Sequence, residues 1–135
     1  MISDERKATK DTKPKARSYK DLLVWQKGMT LAKQIYGITR QLPNEEKFGL
    51  VSQMRRAAVS IPSIIAEGQA RHSTKEFIHF ISHAEGSVAE LETQLILAVD
   101  LDYCVQPQTE EAFRLIGDLR NMLNALRRTL SRIIN

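Results

Sequence analysis

Apolar residues recur at steps of three and four through most of the chain, and turn residues cut that pattern into four runs. In the first run Leu22, Trp25, Met29, Ala32 and Tyr36 share one helix face, with Leu42 closing a segment of about 22–42. Asp21 is placed to cap it, because a carboxylate accepts from the orphan N–H groups of a first turn; Pro43 stops it. A second helix is predicted over about 45–72, with Asn44 as cap and Glu45 and Glu46 at the positive end of the helix dipole. Its stripe reads Val51, Met54, Ala58, Ile61, Ile65 and Gly68. Pro62 removes one hydrogen bond and predicts a kink, but the period continues in phase across it, so one bent helix is expected. Ser73 and Glu76 form a capping box for a third helix, about 74–103, carrying Phe77, Ile81, Ala84, Val88, Leu91, Leu95 and Ala98. Pro107 suits the first turn of a fourth, about 107–133, with Leu115, Leu119, Met122, Leu126, Leu130 and Ile133.

Four amphipathic runs joined by short loops predict an all-α fold, an antiparallel up-and-down four-helix bundle over residues 18–135. Residues 1–17, rich in Lys, Thr and Asp with no large apolar side chain after Ile2, read as a disordered basic arm. The bundle carries more apolar positions than one core face needs. Leu23, Leu31, Ile35, Ile38 and Leu42 form a second stripe on the first helix, and Ile78, Ile96, Leu97 and Leu101 fall off the main face of the third. A bundle helix buries a stripe of roughly 100°, so these wider faces predict a homo-oligomer. Gln53, Arg56, Ser60, Ser63 and Glu67 run down the second helix at helical spacing. This polar stripe is either solvated or meets a neighbouring helix or subunit. With Glu90 and Glu92 of the third helix it supplies the candidate interface residues.

Composition narrows the class. The 135 residues fit one domain, and their 42% hydrophobic content supports a packed core without metal or disulfide. One cysteine, Cys104, excludes an internal disulfide and has no partner that would activate a thiolate. The longest apolar stretch, Leu95 to Val99, falls far below the roughly 20 residues of a membrane span, so a cytoplasmic protein is expected. The net charge of +4 is unevenly spread. Residues 1–75 hold 15 basic and 7 acidic side chains, residues 76–113 hold 8 acidic and no Lys or Arg, and residues 114–135 hold 5 basic and 1 acidic. Such segregation favours specific docking between subunits.

Candidate chemistry is sparse. His79 and His83 stand at i, i+4, a spacing that can chelate a metal, and Glu76 with His79 makes a Glu-x-x-His pair. A di-iron bundle needs a second such pair, and the remaining histidine, His72, has no Glu three residues before it. Phe80 breaks the His-Glu-x-x-His protease pattern. No metal, cofactor or enzyme activity is therefore expected. For nucleic acid the candidates are Lys7, Lys10, Lys13, Lys15 and Arg17 in the arm, Arg55, Arg56, Arg71 and Lys75 around the second helix, and Arg127, Arg128 and Arg132 near the end. No aromatic platform interleaves with these cations, which predicts backbone contact without base stacking.

The stretch Gln53-Met54-Arg55-Arg56-Ala57-Ala58-Val59-Ser60-Ile61-Pro62, followed by Ile65-Ala66-Glu67-Gly68, resembles a known signature. It is similar to that of bacterial four-helix-bundle proteins first noted as reading frames in intervening sequences of large-subunit ribosomal RNA genes. Leu23-Val24-Trp25-Gln26-Lys27, Phe48-Gly49-Leu50, Gly86-Ser87 and Glu90-Leu91-Glu92-Thr93-Gln94-Leu95 resemble further motifs of that family, and Ile64 departs from it where asparagine is common. The resemblance implies a four-helix bundle, a homopentamer and no catalysis. Through related accessory variability determinants of diversity-generating retroelements, it also implies binding to RNA or DNA and to a reverse transcriptase. The leading reading is thus a non-catalytic homo-oligomeric accessory protein that binds or scaffolds nucleic acid, RNA before DNA. The alternative is a protein-interaction scaffold with no nucleic-acid role. A metal-dependent enzyme using Glu76, His79 and His83 ranks last.

Overall fold

The structure, a computed structural model, describes residues 18–134. The arm expected over residues 1–17, with Lys7, Lys10, Lys13, Lys15 and Arg17, lies outside them. The chain forms four helices, α1 Leu23–Thr39, α2 Leu50–Gln69, α3 Thr74–Asp100 and α4 Gln106–Ile134, and no strand among the described residues. Each helix packs on its neighbours in sequence and α1 closes on α4, while the two diagonal pairs do not meet. The pairings run in opposite directions. Arg120 meets Glu92 and Arg127 meets Glu85 across α3 and α4, and Gly28 faces Pro62 while Thr39 meets Arg55 across α1 and α2. This is the all-α, antiparallel four-helix bundle that the four amphipathic runs predict.

The caps differ from those expected. Asp21 serves a preceding 3-10 turn, Tyr19–Asp21, in a reciprocal capping box with Ser18, and α1 opens after Leu22 with no side-chain cap. Asn44 likewise begins a separate 3-10 turn, Asn44–Glu46. The backbone at Gly49 is not helical, so α2 starts at Leu50 rather than near 45, and it ends at Gln69 rather than 72. Glu46 takes the capping role. One carboxylate oxygen accepts from the Leu50 N–H at 3.0 Å and the other from the Tyr103 hydroxyl at 3.0 Å, tying the α1–α2 loop to the end of α3. That bond holds the Tyr103 proton, which with partial burial raises the phenol above its usual range. Helix α2 continues through Pro62, whose ring lies against Gly28 of α1, and the Ser60 hydroxyl bonds to the Ala57 carbonyl on the preceding turn. At the start of α3 the Ser73 hydroxyl accepts from the Glu76 N–H. At its end Asp102 adopts a φ of 60° while Tyr103 and Asp102 N–H groups bond back to Ala98 and Val99 carbonyls, a Schellman closure that halts the helix at Asp100.

The core corrects the assignment of faces on α1. Leu31, Ile35, Ile38 and Leu42, expected on an outer stripe, are buried in the bundle centre with Val24 and Ala32. Trp25, Met29 and Tyr36, expected inside, lie on the flank facing α2. Both stripes satisfy the same period, so spacing alone does not choose between them. On α3, Ile96, Leu97 and Leu101 are exposed as expected, while Ile78, expected off the core face with them, is half-buried and packs against the core.

Glycines test the packing. A Cβ added at Gly37 of α1 or Gly117 of α4 meets nothing within 4 Å. Alanine at either position should therefore stabilise the bundle by about 0.5–1 kcal/mol through helix propensity alone. Urea unfolding of each variant checks this; a loss of stability at either would mean that its helix face is covered.

Candidate nucleic-acid interface

The α1 flank and the α2 surface beside it border two adjoining clefts. The first, about 560 Å³, is lined on α1 by Trp25, Met29, Ala32, Lys33, Tyr36 and Arg40, on α2 by Val59, Pro62, Ser63 and Ala66, and by Tyr19. The second, about 500 Å³, is lined by Lys47, Phe48, Val51, Ser52, Arg55 and Arg56. Tyr36 and Val59 border both, so together they make one groove. From Trp25 to Arg40 it follows about 22 Å of α1. Five cations line it, Lys33, Arg40, Lys47, Arg55 and Arg56, and no carboxylate does.

Arg55 is held in place. Its guanidinium lies 4.5 Å from the Tyr36 ring centroid, its Nε–H donates to the Thr39 hydroxyl at 2.9 Å, and that hydroxyl donates to the Ile35 carbonyl at 2.7 Å. The ring shares the charge without neutralising it. Lys47 sits 5.5 Å from the ring centroid of Phe48, which is 90% exposed. Lys33, Arg40 and Arg56 make no ion pair with any described residue. Two of the candidate cations thus have an aromatic ring beside them that the sequence reading did not anticipate, Arg55 with Tyr36 and Arg71 with Phe80. Tyr36 stands between Lys33 and Arg40 on one helix face, a basic-aromatic-basic spacing of three and four that was the available signal for this groove.

The remaining candidate cations lie elsewhere. Arg127 is committed to Glu85 at 2.9 Å and to Asn124 at 2.7 Å. Arg128 and Arg132 are exposed toward the end of α4, and Lys75 is exposed at the start of α3. The Arg71 guanidinium lies 4.7 Å from the Phe80 ring centroid. Antiparallel packing puts Arg71, Lys75, Arg128 and Arg132 at one end of the bundle, away from Arg40, Lys47, Arg55 and Arg56 at the other. The sequence segregation of charge is partly resolved within the chain. Glu92 and Glu85 of α3 are met by Arg120 and Arg127 of α4, Lys27 reaches Asp118 at 3.4 Å, and Arg114 bridges Asp118 at 2.8 Å and also holds Glu111.

The polar stripe of α2 divides as well. Ser60 bonds the Ser87 hydroxyl of α3 at 2.9 Å, while Gln53, Arg56, Ser63 and Glu67 are exposed. Arg56 and Ser63 face the groove; Glu67 borders a separate hollow with Ile64, His79, Phe80 and His83. Glu90 is exposed beside Gln94. The rings of His79 and His83 stand edge to face, 4.7 Å apart, and Glu76 turns to the Ser73 hydroxyl at 3.1 Å. Among the described residues no group of three His, Cys, Asp or Glu side chains is placed to hold a metal ion. Burial pushes the Cys104 thiol up, away from the reactive thiolate. No helix among the described residues is long and apolar enough to cross a membrane.

A family model described as 23S rRNA-intervening sequence protein matches residues 20–125. Among solved structures, the bundle is similar to a protein of unknown function from the S23 ribosomal protein family of Bacteroides thetaiotaomicron. The two are 25% identical with a TM-score of 0.72, over 78% of this chain and 98% of that one. No curated protein matches the chain.

Proposed function

Since the chain belongs to the 23S rRNA-intervening sequence protein family, we propose that its bundle acts without catalysis, binding RNA through the α1–α2 groove. One observation carries this reading: five cations and no carboxylate line a groove that also presents Tyr36 and Phe48. Unneutralised cations along a groove release counterions when they meet phosphates, and that release drives sequence-independent binding. Adjacent aromatic rings add stacking to any base that is not paired. Electrophoretic retardation of a structured RNA tests it. The chain should retard RNA at low salt and release it steeply as salt rises; no retardation at low salt overturns the proposal.

Self-association belongs to the same reading. Leu97 of α3 and Leu101, which caps its end, are 46% and 47% exposed with Ile96 beside them, an apolar surface suited to a second copy. A ring such as the resemblance implies would repeat the groove and multiply its phosphate contacts. A monomer mass by light scattering at micromolar concentration removes the oligomer while leaving the groove reading intact.

A further inference from the structure

The groove does more than collect positive charge, because its larger cleft is mostly apolar. Trp25, Met29, Val59 and Pro62 make its floor and walls, and its charged residues, Lys33 and Arg40, lie two turns apart on α1. A duplex keeps its bases stacked and paired, and would meet only the cations. The apolar floor would then stay empty. Building on the groove reading above, we propose that this cleft receives an unpaired nucleobase of single-stranded RNA, stacked against Trp25 or Tyr36, with its phosphates held by Lys33 and Arg40.

Three features support it. The Trp25 ring, half-buried against the core, lines the cleft and meets Tyr19 edge to face at 5.3 Å and 65°, so Tyr19 does not stack flat on the indole. Arg55, whose guanidinium lies 4.5 Å from the Tyr36 ring centroid, borders the second cleft but not the first. The volume, about 560 Å³, lies in the range of small-molecule pockets, roughly 300–1,000 Å³, and so can take a base. A flat π system with an anion attached matches an aromatic-walled cleft with cations at its rim.

The chain has a single tryptophan, so its fluorescence reports on this cleft alone. The full chain is titrated with an unstructured oligouridylate RNA and with a duplex of equal length, following Trp25 emission and the anisotropy of labelled RNA. The single strand should bind about tenfold or more tightly than the duplex and change Trp25 emission, whereas the duplex binds without that change. Trp25→Leu should remove the preference and leave duplex affinity in place. Ser63→Leu, at an exposed position on the cleft wall, should fill the cleft and lose the preference in the same way, with no demand on the core. Salt-sensitive binding with equal affinities and unchanged Trp25 emission overturns this inference alone. Absence of binding to either RNA overturns it together with the groove reading.

Discussion

Gly68→Ala is expected to destabilise the bundle by about 2 kcal/mol, although alanine is the better helix former by roughly 1 kcal/mol. A Cβ at Gly68 would stand 2.5 Å from Phe80 Cβ and 3.0 Å from Phe77 Cδ1. The nearest of these atoms is fixed to the α3 backbone, so rotating a side chain does not clear it. Helices α2 and α3 would have to separate, and Phe77, which is fully buried, would lose its packing. For a bundle of this size the shift in Tm is roughly 6–12 °C. Thermal unfolding of Gly68→Ala beside Gly37→Ala checks the claim, since the two should move in opposite directions. Equal stabilisation by both would show that α2 and α3 pack less closely than described.

The other large effect concerns binding. Arg40→Glu with Arg56→Glu should lower RNA affinity on the order of a hundredfold at low salt, because two phosphate contacts become repulsions in a groove that holds no other carboxylate. Both side chains are exposed and make no ion pair with a described residue, so stability should change by no more than about 0.5 kcal/mol. Arg128→Glu with Arg132→Glu makes the same change in net charge at the opposite end of the bundle and should cost far less. If both pairs reduce affinity equally, net charge rather than the groove governs binding, as gel retardation on matched RNA would show.

Much of the fold was legible in the sequence because helix period, loop length and proline positions act locally. Phe77, Ile81, Ala84, Val88, Leu91, Leu95 and Ala98 were placed on the core face of α3 by spacing alone, and all are buried. Face choice on α1 was not legible, since Leu31 and Ile35 on one side and Trp25 and Tyr36 on the other keep the same period. Tertiary packing put the aliphatic stripe inside and left the aromatic one flanking α2. Ser73 caps α3 as its spacing predicts, but the first two caps failed for a related reason: Asp21 completes a capping box with Ser18 on one 3-10 turn, Asn44 opens another without capping it, and Glu46 reaches Leu50 and Tyr103 from four and fifty-seven residues away. The groove depended on both errors. With Tyr36 assigned to the core, Lys33 and Arg40 had no aromatic neighbour, and Lys47 stood inside an expected helix rather than in the loop before α2. The acidic stretch of residues 76–113 was visible as a stretch, but its pairing with Arg120 and Arg127 depends on the register between α3 and α4, which helix spacing does not give.

The salt dependence of RNA binding tests the central claim most directly. On a single strand each phosphate contact contributes about −0.7 to the slope of log affinity against log salt. Neutralising Lys33, Arg40 and Arg56 to alanine should therefore make the slope of the full chain shallower by about 2, whatever the residues outside the groove contribute. A slope left unchanged by all three substitutions would contradict the assignment of RNA binding to this groove.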